Sequence, residues 1–232
     1  MSFRNMIIAG VFAALSATAA QAVTIVSYDI RNADPSSTGG WTNTYSGTIT
    51  PSADGVPGLV DLTGGSGTLN DGVLPNSTVN NQLFFTPLAI QNASITLRFD
   101  RAIRLGTIEF LNSPDYLGNS IVGGVREVVA IGGGGDFFAT AESAGFGPVG
   151  ASGFPVSDRF DFSNTSFAEF ELDSITLSNF FVDGPNFINP FSIGEIVVTE
   201  AQVAPVPLPA SGVLMVAGIG GLIAARRRKK AS

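Results

Sequence analysis

The sequence predicts an all-β domain, an antiparallel sandwich of two packed sheets, from three observations. Between residue 23 and about residue 204 no run of ten or more residues repeats its apolar positions at the 3.6-residue helical period. Short β-rich runs recur instead, nearly all of them half apolar. Gly, Pro, Asn and Asp punctuate those runs throughout, the pattern of strands joined by turns.

In chain order, strands are expected at 24–31, 45–50, 58–62, 93–100, 107–111, 126–132, 167–172, 174–182 and 193–200. The run ASITLRFD at 93–100 is the clearest. Ile95, Leu97 and Phe99 alternate with Ser94, Thr96 and Arg98, the period-2 signature of a half-buried strand. Residues 107–111 repeat it, with Ile108 and Phe110 inward. Phe137, Phe138, Phe160, Phe162, Phe170, Phe180 and Phe181 are expected to fill much of the core, at ~1.5–3 kcal/mol each when fully buried. The chain has no cysteine, so this core must hold the domain without disulfides.

The same composition excludes several chemistries. With neither His nor Cys among 232 residues, the chain cannot build a Ser-His-Asp triad, a Cys nucleophile, a usual zinc site or a haem or iron–sulfur centre. Only 6 of the 12 basic residues lie between residues 23 and 204, against all 19 acidic ones, a formal charge of −13. Phosphate binding needs a basic footprint, so nucleic acid is excluded as a partner.

The two ends have a different character. Residues 1–22 carry Arg4, an apolar stretch from Met6 to Leu15 and the small-x-small triplet Ala20-Gln21-Ala22, the order of parts in a secretory signal peptide cleaved after Ala22. At the other end the segment 205–232 opens on Val206, Pro207, Leu208, Pro209 and Ala210. An apolar span, 211–225, follows, then Arg226, Arg227, Arg228, Lys229 and Lys230. The uncharged stretch 206–225 is long enough to cross ~30 Å of hydrocarbon as a helix. The basic cluster keeps its side cytoplasmic, leaving residues 23–204 outside.

This tail closely resembles the VPLPA-CTERM sorting signal, one of the PEP-CTERM class of exported proteins of Gram-negative bacteria. The resemblance implies that residues 206–210 are recognised by an exosortase, an intramembrane processing enzyme. It implies also that residues 226–230 act as the stop and orientation signal. Delivery to the cell surface or the extracellular matrix is the expected outcome, with a permanent transmembrane anchor as the alternative.

A second resemblance covers pieces of the middle. Asn70-Asp71-Gly72 precedes the ITLRFD strand, IEFLN follows at 108–112, and IGEIVV closes the domain at 193–198. In that order these are similar to a discoidin or galactose-binding-like jelly roll. Such a fold implies glycan binding by loops at one end and a structural Ca²⁺. Asp71 and Gly72 are the positions that match the family, and Asp71 is also a loop oxygen ligand of the kind Ca²⁺ takes.

Other candidates come from residue chemistry. Asn32 with Asp34, and Asn112 with Asp115, offer hard oxygen ligands of the kind Ca²⁺ takes, although Asp and Asn also dominate ordinary turns. Trp41 and Tyr45, in a polar loop, have ring faces suited to the C–H side of a pyranose. Glu169 and Glu171 would share one face of the strand expected at 167–172, about 7 Å apart. Paired carboxylates at about 5–9.5 Å suffice for glycoside hydrolysis. Asp158 and Asp161 flank Arg159 and read as a loop ion cluster. The four glycines from Gly132 to Gly135 lack the Lys-Ser/Thr of a phosphate loop and read as a turn. The expectation is a non-catalytic exported domain in weak contact with polysaccharide. A dedicated carbohydrate- or Ca²⁺-binding module is the first alternative and a two-carboxylate hydrolase the second.

Overall fold

The computed structural model describes residues 22–34, 44–74, 81–112, 125–142, 156–182 and 191–202. Residues 1–21 of the expected signal peptide and the sorting tail, with Ala20, Val206 to Ala210 and Arg226 to Lys230, lie outside the described residues. So do Trp41 and Asp115. Ala22, the last residue before the expected cleavage, is described and lies in a strand. Among the described residues no helix is long and apolar enough to cross a membrane, a statement that does not extend to strands of a β-barrel.

The described chain is built from antiparallel strands: β1 (Ala22–Val23), β2 (Ile25–Ala33), β3 (Thr48–Pro51), β4 (Val60–Gly65), β5 (Leu83–Phe85), β6 (Ser94–Ile103), β7 (Leu105–Asn112), β8 (Val125–Gly132), β9 (Phe137–Glu142), β10 (Val156–Asp161), β11 (Leu172–Val182), β12 (Phe191–Ile193) and β13 (Glu195–Glu200). A seven-stranded sheet runs β3-β4-β2-β6-β11-β8-β9. A four-stranded sheet runs β1-β13-β7-β10, and β12 pairs with β5 in a short ribbon. The single α-helical turn among the described residues is α1 (Pro87–Ile90), started by Thr86, whose side chain accepts from Ala89 N–H.

Alternation places the core where the sequence predicts it. Ile95, Leu97 and Phe99 of β6, and Ile108 and Phe110 of β7, are buried, as are Ile175 and Leu177 of β11 and Ile196 and Val198 of β13. Aromatic rings join the layers: Phe85 stacks on Phe191 at 4.5 Å, Phe180 lies 5.3 Å from Phe191, and Phe110 meets Phe160 edge-on at 5.2 Å.

Four expectations need correction. Phe160, Phe162 and Phe180 are buried, but Phe138, Phe170 and Phe181 are exposed. For Phe181 the cause is backbone: Asn179 takes φ +51° where the β11–β8 register shifts. This bulge leaves Phe180 inward and turns Phe181 out. The strand expected at 167–172 is instead a 3-10 turn, Ser166–Ala168, with Phe167 buried beneath it. Glu169 and Glu171 therefore share no strand face, and the hydrolase pairing built on that face disappears. Asp158 is not in a loop. It lies on the inner face of β10, fully buried, while Arg159 and Asp161 point to solvent.

The registers define two ends of the sandwich. Ala22 pairs with Thr199 and Val23 with Val198, so the chain enters and leaves the sandwich at the same end. The turn Gly133–Gly135 belongs to that end, since Gly132 faces Ile175. At the opposite end Asn112 faces Val156, Val125 faces Val182 and Glu127 faces Glu142. The strand ends that border 113–124, 143–155 and 183–190 are thus gathered there.

Candidate functional site

The segment after β4 is pinned to both sheets by short polar contacts. Asn70 folds it by accepting from Gly67 N–H at 2.9 Å, and Asn70 Nδ2 donates to Ile25 O at 2.7 Å. Leu69 is buried and its carbonyl accepts from Ile196 N–H at 2.9 Å, which ties the segment to β13. Asp71 follows directly. Its Oδ1 accepts from Val73 N–H at 2.9 Å, the Asx turn that the Asp-Gly pair favours. Its Oδ2 accepts from Asn81 Nδ2 at 2.5 Å. Gly72, at φ +75°, takes a backbone conformation strained for other residues. Its N–H donates to Glu195 Oε2 at 3.0 Å.

Asp71 and Glu195 are thereby brought together from positions far apart in the sequence. Burial pushes the Glu195 carboxyl up to about 7; the Gly72 N–H works against that shift and the neighbouring Asp71 charge adds to it. Tyr28 completes the group. It is fully buried, and its Oη makes no hydrogen bond of acceptable geometry among the described residues. Burial raises its pKa first; the Leu69 main chain opposes this, while Tyr45, Asp71 and Glu195 add to it.

Two close carboxylates are hard donors of the kind that Ca²⁺ takes. Asp71 and Glu195 fit a cation in kind, and an ion there would neutralise their repulsion and lock the loop to β13. In number they fall short of a six- to eight-oxygen shell, and no group of three or more metal-ligating carboxylates, His or Cys occurs among the described residues. Glu195 was not singled out in the sequence. Its signal was an acidic residue inside the apolar run SIGEIVV, and it is the only charge there.

The other candidates have separate fates. Tyr45 Oη donates to Tyr28 O at 2.9 Å and accepts from Gly65 N–H at 2.8 Å, with its ring 5.1 Å from that of Tyr28. Its hydroxyl therefore joins the chain before β3 to β2 and β4 rather than facing a ligand. Asn32 lies far from Asp71 in the bonding scheme: its Nδ2 donates to Asp54 and to Asn92 O, and its Oδ1 accepts from Ser52. Asp34 accepts from Thr86 N–H at 2.7 Å and holds the start of α1. Asn112 is buried at the end of β7.

Buried Asp158 forms a second polar centre. Its Oδ2 accepts from Val125 N–H at 2.8 Å, joining β10 of one sheet to β8 of the other. Its Oδ1 has no partner among the described residues. Burial pushes this carboxyl up to about 6, with the Val125 N–H and the Asn112 amide opposing the shift.

No protein-family model matches the chain, and no curated protein matches it. Several solved structures are similar to it. The CBM32-3 module of a family 31 glycoside hydrolase from Clostridium perfringens is 17% identical, with 57% of this chain and 80% of that one covered and a TM-score of 0.35. The F5/8 type C domain of a Bacteroides fragilis protein is 13% identical, over 79% and 98%, with a TM-score of 0.39. A fucose binding module from Streptococcus pneumoniae is 12% identical, over 69% and 92%, with a TM-score of 0.38.

Proposed function

We propose that this chain is an exported protein, sorted by an exosortase through its C-terminal tail to the cell surface or extracellular matrix of a Gram-negative bacterium. There its sandwich acts without catalysis, as a matrix or adhesion component in weak contact with polysaccharide. One observation carries the reading: the β1–β13 pairing brings both ends of the domain to one end of the sandwich. The strand ends bordering 113–124, 143–155 and 183–190 gather at the opposite end. The resemblance of residues 206–230 to a sorting signal supplies the route.

The test is release. Cells of a Gram-negative host carrying the exosortase are compared when they express the full chain or a chain ending at Gln202. The expected result is a cell-associated full chain and a truncated chain found in the medium or periplasm. Equal retention of both forms would remove the tail from the account.

The Asp71–Glu195 pair favours a second reading, a cation-stabilised binding module. Under it, millimolar Ca²⁺ raises the unfolding midpoint of the full chain by several degrees, and Glu195→Gln abolishes the rise. An unchanged midpoint would set this reading aside.

A further inference from the structure

The outer face of the seven-stranded sheet carries a strip that none of the readings above uses. Cross-strand registers align Thr96 with Thr176, Thr176 with Ile131 and Ile131 with Phe138, one row across β6, β11, β8 and β9. Beside it runs a second row, Ser94, Ser178, the buried Val129 and Thr140. All these side chains are uncharged, and on β2 the two rows end in Asp29 and Arg31. Thr96 and Thr176 hydroxyls lie 2.8 Å apart, and Phe138 stands 65% exposed at the outer end. At ~4.8 Å per strand the first row extends about 14 Å.

A cleft of about 230 Å³ opens on this strip, lined by Ile131, Ser174, Thr176 and the turn Gly133–Gly135. All three glycines of that turn have positive φ, from +58° to +110°. At Gly134 and Gly135 a Cβ would meet nothing within 4 Å. Backbone conformation, rather than crowding, is what calls for glycine at these two positions, and the cleft wall there is bare main chain.

We infer that this strip and its cleft form a binding face for a neutral polysaccharide, with Phe138 as the stacking platform and Ser174, Thr176 and Thr96 as hydroxyl partners. Charge complementarity selects the occupant. The domain carries 19 acidic and 6 basic residues, so an anionic polymer is repelled by the surroundings, and the arginines bordering the strip, Arg98 opposite Ser174 and Arg31 opposite Ser94, are already paired with Asp29 and Asp54. A cationic polymer would be drawn to the acidic surface elsewhere. A neutral chain of pyranose rings matches the strip: its hydroxyls donate and accept as Ser and Thr do, and its C–H faces suit an exposed aromatic ring. The inference deepens the polysaccharide contact of the proposed function, whose surface delivery the release experiment decides separately.

Affinity electrophoresis tests it. The full chain, in a polyoxyethylene detergent free of sugar head groups, is run through native gels containing β-1,4-glucan, β-1,3-glucan, galactomannan or alginate. Retardation by at least one neutral polymer and none by alginate is expected. Phe138→Ala should weaken it at least tenfold, Thr176→Val several-fold, and Phe138→Tyr little, all with unfolding midpoints close to that of the parent. Trp41→Ala should leave it intact. Binding that survives Phe138→Ala but is lost in Trp41→Ala would move the contact off the sheet face and overturn the inference while leaving polysaccharide contact standing. Retardation by alginate alone would overturn it, and retardation by none of the four would overturn both the inference and the polysaccharide contact.

Discussion

Asp158 shows how one side chain couples the fold to pH. Its folded pKa, about 6, is raised above the ~3.9 of an unfolded Asp. The folded state therefore holds the proton more tightly. Its contribution to stability is full below about pH 4, declines as pH rises toward 6, and is flat above. A shift of this size corresponds to about 3 kcal/mol. Urea unfolding of the full chain between pH 4 and 7.5 should lose less stability in Asp158→Asn than in the parent, because Asn keeps an acceptor for Val125 N–H without an ionisable proton. Identical pH profiles would contradict the assignment. The phenylalanines make a parallel contrast. Phe160→Ala should cost about 3–5 kcal/mol, since the ring is fully buried against Phe110. Phe138→Ala should change stability by no more than about 0.5 kcal/mol. Equal losses would mean that Phe138 is a core residue after all.

At the scale of elements, the hub at the end of β2 depends on one residue in a rare conformation. Asn32 has φ +55°, and its side chain joins the 52–54 turn and the carbonyl of Asn92. Asn32→Ala should cost about 3 kcal/mol through buried groups left without partners. Asn32→Gly should cost about 1 kcal/mol less, because it restores the left-handed backbone without the bonds. Chemical denaturation of both variants decides this, and equal losses would exclude backbone strain. Legibility follows the same physics. β6 and β7 could be read directly because their apolar residues alternate cleanly. β5 and β12 could not, being only three residues each, too short for any period to show. β10 hid because its inward residues include an aspartate. The bulge at Asn179 reverses the phase of β11 midway, which no period-2 count anticipates. Asp71 was legible through its Asp-Gly turn, whereas Glu195 lies 123 residues from Gly72 and only the folded sheet brings them together.

For the whole molecule, topology matters more than any single site. Pairing of β1 with β13 brings the first and last strands of the sandwich together at one end, while the borders of three long segments collect at the other end. The central claim is that this sandwich stands outside the cell. The chain has no cysteine of its own, so Glu142→Cys, at the exposed far end of β9, provides a single reporter. Intact cells are treated with a membrane-impermeant maleimide and compared with lysed cells. The account predicts equal labelling with and without lysis; labelling that appears only after lysis would contradict it.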